Sequence, residues 1–188
     1  KLEEYAKMQS NGTVYYDLKF LLDCKIGENF GITIPNLGDY RAKVGENSLD
    51  FYTDENFQKI KLLSNSIQFF HWELEFPQIF YDENGHRKKN FGFDVIIGNP
   101  PYIKEYSYKQ IFSDLKKSKV LNSSYYQGKM DFWYIFSCMS LDILKKNGYH
   151  GFIATNNWIT NFGASILRDK MLKETKIKKF IDFGDFKV

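Results

Sequence analysis

The stretch Phe91–Tyr102, FGFDVIIGNPPY, decides the fold. Its apolar run Val95–Ile97 has no polar alternation, which is typical of a strand covered on both faces in a parallel sheet. The two prolines that follow exclude a helix, because each ring fixes its own φ and Pro100 also holds Asn99 in an extended conformation. We therefore predict that Asn99–Tyr102 forms a rigid turn at the carboxyl end of a strand, where open α/β sheets bind ligands.

The totals exclude several classes of protein. With 188 residues and a net charge of +3, the chain can bury the core of one domain, and its charge permits nucleic-acid binding without arguing for it. Cys24 and Cys138 lie far apart, which favours buried thiols over a disulfide framework. The three histidines lack the spacing of a zinc site, so no metal is expected.

The sequence also bears on location and completeness. It contains no apolar run long enough to cross a membrane and no signal peptide, so we expect a cytoplasmic protein without a membrane partner. It begins without Met and stops within DFGDFKV, Asp182–Val188, so we expect a piece of a longer protein.

Downstream of the turn, helical and strand patterns alternate. Lys129–Asn147 is apolar around most of its circumference, which predicts a buried helix that ends at Gly148. The further predicted elements are the strand Gly151–Thr155, the helix Ala164–Lys173 and the strand Lys179–Phe183. Strand, helix, strand, helix, strand over residues 91–188 is an α/β series, and right-handed crossovers make its sheet mostly parallel and flanked by helices.

Residues 1–90 are predicted to form an irregular or helical lead-in segment. Apolar residues recur at helical spacing from Thr53 to Phe70, which predicts an amphipathic helix. The other predicted elements are a short helix at Tyr16–Cys24, a loop over Ile26–Ser48, and a partly buried extended segment at His71–Phe80, whose Pro77 excludes a helix interior.

The connection Ile103–Gly128 combines lysines with tyrosines, and Gln110–Lys119 has a helical pattern. Residues 87–119 carry eight basic and three acidic residues on both sides of the turn in sequence. This composition indicates a DNA-facing surface, although a solvated face fits it too. The candidate DNA contacts are Lys104, Lys109, Lys116 and Lys117.

Asn-Pro-Pro-Tyr after a hydrophobic strand resembles the catalytic motif of amino-methyltransferases that use S-adenosylmethionine, above all the adenine-N6 DNA methyltransferases. Four further stretches keep the order of the methyltransferase region in single-chain, type IIG-like restriction–modification enzymes, which both modify and cleave DNA: His71–Phe80, Lys129–Phe136, Gly151–Trp158 and Gly163–Leu172. The resemblance covers roughly residues 70–188. It implies that residues 91–188 are the catalytic half of a Rossmann-like, S-adenosylmethionine-dependent fold.

The resemblance implies roles for the turn. An exocyclic amine is a poor nucleophile until both of its hydrogens are accepted, and the side-chain oxygen of Asn99 and the carbonyl of Pro100 would accept them. Pro101 would stiffen the turn, and Tyr102 would stack on an adenine flipped out of double-stranded DNA. A second stacking aromatic is expected at Phe162, or two positions later at Ala164.

The resemblance also bears on the cofactor. Asn99 and Asp131 would contact it, although Asp131 could equally be a helix N-terminal acid. Asn156 and Asn157 either reach the ligand cleft or satisfy turn backbone groups. The family's Gly-rich cofactor turn and its ribose-binding acid are absent, so we expect this chain alone to bind S-adenosylmethionine weakly and to be inactive. The missing first half would expose the edge of the Phe91–Ile97 strand, which favours self-association or cover by the N-terminal region.

Two alternative functions fit the same motif. A glutamine or RNA amino-methyltransferase faces the same problem of a delocalised amine lone pair, and a non-catalytic DNA-binding module could retain the fold without the chemistry. No nuclease carboxylate pair with a following lysine is evident, so any endonuclease activity would lie elsewhere in the parent protein.

Overall fold

The computed structural model describes residues 13–34, 37 and 55–184. These residues belong to two compact units, residues 1–92 and residues 93–188. Each unit has its own hydrophobic core and is described by itself.

The first unit is helical. Helix α1, Thr13–Asn29, packs on helix α2, Glu55–Ile67, and the core between them includes Cys24, Phe57 and Ile60. The amphipathic helix predicted from Thr53 is thus confirmed over the described residues. The short helix predicted at Tyr16–Cys24 is longer than expected, because α1 continues to Asn29 and replaces the start of the predicted loop. Most of the rest of that loop lies outside the described residues.

A buried polar cluster fixes the two helices. The Asp23 carboxylate accepts a hydrogen bond from the Ser64 hydroxyl at 2.6 Å and lies 2.5 Å from His71 Nε2. Burial alone would raise the pKa of Asp23, but hydrogen bonds from His71, Ser64 and Lys19 outweigh burial and hold that pKa below its usual value. The cluster therefore contains an ionised carboxylate whose oxygens are satisfied.

The extended segment predicted at His71–Phe80 is wrong. The chain forms two short helices there, α3, Trp72–Glu75, and α4, Pro77–Phe80. Pro77 occupies the first turn of α4, where the missing N–H leaves no hydrogen bond unmade. The proline excludes a helix interior, as predicted, but it begins a new helix instead of preventing one.

The second unit is built on two parallel strands. Strand β1, Phe93–Gly98, pairs with strand β2, Leu144–Phe152. The register joins Val95 to Tyr149 and Gly98 to Phe152, with a bulge before Tyr149. The unit therefore combines helices with a small parallel sheet, which confirms the mixed α/β class.

The prediction that the strand is covered on both faces is wrong for the described residues. Val95 and Ile97 are 56% and 78% exposed, although Ile96 on the other face is half-buried. A two-stranded sheet offers few neighbours, so the described part of the chain leaves this apolar face open.

The core of the second unit surrounds helix α7, Phe132–Asp142, and includes Trp133, Tyr134 and Cys138. The helix predicted over Lys129–Asn147 is therefore too long, because its last residues enter β2. Gly148 is not a helix cap; it lies in β2, where a Cβ would come within 3.0 Å of the Phe93 and Asp94 carbonyls.

The remaining elements complete this unit. Helices α5, Lys109–Lys117, and α6, Lys119–Tyr125, follow the turn, which confirms and extends the helix predicted at Gln110–Lys119. Two 3₁₀ turns, Asn156–Ile159 and Phe162–Ala164, lead into helix α8, Ser165–Glu174, as predicted for Ala164–Lys173.

Two strand predictions fail in this unit. The strand expected at Gly151–Thr155 coincides with β2 only at its first two residues. The strand expected at Lys179–Phe183 is wrong, because those residues are exposed and form no strand. Among the helices that the structure describes, none is both long enough and apolar enough to cross a bilayer.

Gly163 marks the closest approach between segments of this unit. A Cβ on Gly163 would lie 2.2 Å from the Lys129 carbonyl oxygen and 2.7 Å from that of Gly128. Both neighbours are backbone atoms, so they cannot rotate away, and only glycine fits there without moving the chain.

We predict that Gly163→Ala lowers the free energy of unfolding by roughly 1–3 kcal/mol, the usual cost of overpacking a filled site. Gly151→Ala is the matched control, since its Cβ would meet Ile97 at an ordinary 3.7 Å. Urea unfolding of both variants measures the difference. Equal stability of Gly163→Ala and wild type would contradict the close approach.

Candidate active site

The turn after β1 holds its side chains at the carboxyl end of the sheet. The amide N–H of Ile153 donates to the Gly98 carbonyl at 3.1 Å, so strand-like pairing continues past β1. Pro100 is buried, whereas Asn99 is exposed. Within the described residues the Pro100 carbonyl accepts no hydrogen bond.

Tyr102 joins this turn to the end of β2. Its hydroxyl contacts the Asn99 side-chain oxygen and lies 2.7 Å from the Ile153 carbonyl oxygen. A phenol has one proton and can donate to only one of these oxygens at a time. Donation to Ile153 leaves the Asn99 oxygen free to accept a hydrogen from a ligand, while the half-exposed ring stays in place.

Asp131 is a buried carboxylate with no hydrogen-bond partner for either oxygen among the described residues. Burial raises its pKa, while the nearby N–H dipoles of Trp133 and Phe132, which do not reach hydrogen-bond geometry, and the positive charge of Lys104 oppose that rise. The residue is the N-cap of α7, but its side chain makes no cap hydrogen bond. Asp131 therefore occupies the position of a helix N-terminal acid, but its carboxylate accepts none of the hydrogen bonds from the first backbone amides that such an acid usually accepts.

A cavity of about 800 Å³ lies in this unit, and Asp131 contributes to its wall. Three of the four candidate DNA contacts, Lys104, Lys109 and Lys116, also line it, and Lys117 does not. The turn residues Asn99–Tyr102 are not part of its lining. The remaining lining residues are Glu105, Tyr106, Ser113, Lys129, Met130, Asn157 and Asn161.

The candidate lysines differ in their partners. Lys116 pairs with Glu105 at 2.9 Å and stands 4.5 Å from the centre of the Tyr126 ring. Lys117 pairs with Asp114 at 2.6 Å. These two ammonium groups are therefore already neutralised by neighbouring carboxylates, which the sequence pattern did not indicate.

A hydrogen-bond network holds the loop that follows β2. Trp133 Nε1 donates to the Thr155 hydroxyl at 3.2 Å, and that hydroxyl donates to Asn157 Oδ1 at 2.9 Å. Asn161 Nδ2 donates to the Tyr134 hydroxyl at 3.1 Å. The Asn157 side-chain oxygen thus accepts hydrogen bonds from side-chain hydroxyls and not from the turn backbone, and Asn157 also lines the cavity.

Arg168 of α8 completes this network, and sequence analysis missed it. Its Nη1 donates to the carbonyls of Trp158 and Asn161, each at 2.6 Å. In the sequence it resembles one more solvated cation on an amphipathic helix, so no pattern signals this role. Tyr134 was missed in the same way, as an apolar position of a buried helix.

The two positions considered for a second aromatic lie in the 3₁₀ turn that follows this loop. Phe162 is 59% exposed, whereas Ala164 is fully buried in the core. Only Phe162 therefore presents a ring that a ligand could reach.

We predict that Arg168→Ala frees the 156–162 loop while α8 remains folded. The reporters are the amides of Asn161, Gly163 and Ala164, which are hydrogen-bonded within this segment. Their hydrogen exchange should accelerate at least about tenfold, since a hydrogen bond from a charged donor contributes about 1.5–3 kcal/mol. Lys173→Ala on the same helix is the control, and unchanged exchange in Arg168→Ala would refute the role.

The sequence matches the Eco57I restriction-modification methylase family over residues 6–188. It is 38% identical over 103 residues to the type II restriction enzyme and methyltransferase RM.Eco57I of Escherichia coli, which covers 53% of this chain and 10% of that protein. It is 32% identical over 127 residues to the putative type II restriction enzyme and methyltransferase RM.MjaORFECS2P of Methanocaldococcus jannaschii, covering 68% of this chain and 9% of that protein.

A shorter relative matches the same way. The type II methyltransferase M.HincII of Haemophilus influenzae is 32% identical over 100 residues, which is 51% of this chain and 19% of that protein. The chain thus spans about a tenth of the two larger relatives and under a fifth of this one.

Proposed function

Since the chain belongs to the Eco57I restriction-modification methylase family, we propose that it carries the catalytic turn of a DNA methyltransferase specific for adenine N6. The observation that supports this most is the proline-stiffened turn Asn99–Tyr102 at the carboxyl end of β1. It offers an exposed amide oxygen, an unbonded carbonyl and a half-exposed ring within four residues. On this proposal residues 91–188 are the catalytic half of a Rossmann-like fold.

The chemistry follows from two acceptors. When the Tyr102 proton points to the Ile153 carbonyl, the Asn99 oxygen and the Pro100 carbonyl each accept one hydrogen of the adenine amine. Both hydrogens are then held, so the nitrogen lone pair localises and would displace a methyl group in line from the sulfur of its donor. The sulfur would keep the electrons of the broken bond, and the methylated nitrogen would then release one proton. The acceptors are fixed before the reaction by the prolines, so little reorganisation is needed.

The substrate on this proposal is double-stranded DNA with one adenine flipped out, because an amine inside the stack cannot reach the turn. The Tyr102 ring would replace lost stacking by roughly 1–3 kcal/mol. The exposed ring of Phe162 is the second aromatic, since Ala164 is buried and has no ring.

The proposed methyl donor is S-adenosylmethionine, which supplies a methyl group on a positively charged sulfur. Asp131 fits a cationic ligand, because its buried carboxylate has no hydrogen-bond partner among the described residues. Asn99 is the other candidate contact. The sequence contains no Gly-rich cofactor turn, so we propose that this chain alone binds the cofactor weakly and that the parent protein supplies the remaining contacts.

The open apolar face and the edges of the β1–β2 sheet are proposed to associate with another strand or chain. Val95, Ile97 and Tyr149 are each more than half exposed on these strands. Exposed apolar strands with unpaired backbone groups tend to pair with further strands. The occupant could be a second copy or another part of the parent protein, in which any endonuclease activity would also lie.

We predict that Asn99→Ala in the parent protein lowers kcat for methyl transfer to duplex DNA about 10²–10³-fold, by analogy with loss of one preorganised hydrogen-bonding group. Labelled methyl groups are followed into DNA, and digestion to nucleosides identifies the modified base as N6-methyladenine. Asn122→Ala, at an exposed position of α6, is the matched control.

Several outcomes would contradict this proposal. They are full activity of Asn99→Ala, label on cytosine, or label on RNA or on a glutamine-containing peptide in place of DNA. DNA binding without any methyl transfer would support a non-catalytic module.

A further inference from the structure

The turn residues Asn99–Tyr102 do not line the 800 Å³ cavity, so the chemistry proposed for the turn does not account for this cavity. Four lysines line it against two carboxylates, Glu105 and Asp131. Such a concentration of positive charge in a concave surface attracts anions, because low-dielectric walls focus the field.

The lysines divide into two groups by their partners. Lys116 is neutralised by Glu105, whose carboxylate also accepts the Tyr126 hydroxyl at 2.5 Å. In the described part of the chain, no carboxylate lies within ion-pair distance of Lys104, Lys109 or Lys129. Three exposed ammonium groups therefore line one cavity without a direct ion pair to a carboxylate of the described residues, although Lys104 is close enough to Asp131 to interact with its charge.

The two carboxylates offset little of this charge at the rim. Glu105 is already held by Lys116, Tyr126 and the amide of Met130. Asp131 is 1% exposed, so its carboxylate lies below the exposed rim that the lysines form.

The cavity walls are fixed. The backbones of Lys104 and Asp131 form an isolated antiparallel β-bridge. In the flanking backbone hydrogen bonds, the N–H of Glu105 donates to the carbonyl of Met130 at 2.9 Å and the N–H of Phe132 donates to that of Ile103 at 2.8 Å. Asn157 and Asn161 also line the cavity, and the loop network holds them. A rigid basic cavity suits an extended polyanion better than a mobile surface would.

We propose that this cavity binds the phosphodiester backbone of DNA beside the target base, with Lys104, Lys109 and Lys129 as the phosphate contacts. The proposal rests on the proposed function in taking DNA as the ligand, and it adds Lys129 while leaving Lys116 and Lys117 out.

The position along the chain supports this ligand. Lys104 follows Tyr102 by two residues, so their Cα atoms lie within about 7 Å, the reach of two extended residues. A strand whose base stacks on Tyr102 therefore passes near Lys104. Tyr106 is 73% exposed, and its ring centre is 5.9 Å from the Lys104 ammonium, so an aromatic surface for a flanking base stands beside the phosphate contact.

An acidic peptide is the main competing anion. DNA binding by this chain and by its lysine variants distinguishes the two ligands. Binding to a fluorescent DNA duplex containing one unpaired adenine is measured from 50 to 300 mM KCl. Each of Lys104→Ala, Lys109→Ala and Lys129→Ala should weaken binding and reduce the slope of log K against log salt by about 0.9, the value for one lost phosphate contact.

Lys178→Ala is the matched control, because Lys178 is exposed and does not line the cavity. It should leave the slope unchanged, and a poly-glutamate peptide should fail to displace the DNA. Equal slopes for the three variants and Lys178→Ala would overturn the proposal, as would the absence of DNA binding at 50 mM KCl or displacement by poly-glutamate at equal charge concentration.

The two proposals fail separately. Unchanged salt slopes together with Asn99-dependent methylation would reject the cavity and keep the function. Reduced salt slopes without methylation by the parent protein would keep the cavity as a DNA-binding site and reject the methyltransferase function.

Discussion

The position of the candidate catalytic turn depends on the hydrogen bond between the Tyr102 hydroxyl and the Ile153 carbonyl, 2.7 Å long. This bond links the turn after β1 to the first residue after β2, beyond the last strand pair of Gly98 and Phe152. Among the residues that the structure describes, the backbone hydrogen bond from Ile153 N–H to the Gly98 carbonyl lies next to the turn. The prolines fix the shape of the turn, and this hydroxyl fixes its position.

Aromatic and polar side chains of α7 extend this constraint to the rest of the site. Trp133 and Tyr134 are buried, yet their polar ends reach the loop after β2, where Arg168 holds two carbonyls from the other side. Gly163 then brings this loop against the backbone of Lys129. A rigid scaffold thus positions three loop segments, which are the turn Asn99–Tyr102, the 156–162 loop and the backbone at Gly128–Lys129. This is the usual construction of a binding site.

The charges of the site follow from the same packing. Asp131 is buried at the start of α7 without a hydrogen-bonding partner in the described residues, an arrangement that costs stability unless a ligand compensates for it. Lys116 and Lys117 have carboxylate partners, whereas Lys104, Lys109 and Lys129 surround the cavity. The site therefore offers a deep negative group and a positive rim.

Sequence reasoning succeeded where local chemistry dominates. The strand and turn at Phe91–Tyr102 were predictable because prolines act on their immediate neighbours, and the helix Glu55–Ile67 because its apolar spacing is regular. It failed where contacts between residues far apart in the sequence determine the secondary structure. Leu144 continues the helical apolar pattern of the preceding residues, yet its pairing with Phe93 draws it into β2.

The same limit applied to the candidate site. Asn99 and Tyr102 were identified from their motif, but the pairing of Lys116 with Glu105, 11 positions away, is a tertiary contact that no spacing rule indicates. The role of Arg168 likewise depends on a carbonyl ten residues earlier in the chain, that of Trp158. The exposure of Val95 and Ile97 also could not be predicted, because an apolar run does not specify how many strands surround it.

The central claim is that the Tyr102 hydroxyl holds the turn against β2. The most direct measurement is the free energy of unfolding of Tyr102→Phe compared with that of Tyr106→Phe, a more exposed tyrosine in the same segment. We expect Tyr102→Phe to lose about 0.5–1.5 kcal/mol, the net contribution of one hydrogen bond, and Tyr106→Phe to lose nothing measurable. Equal stability of the two variants would contradict the claim.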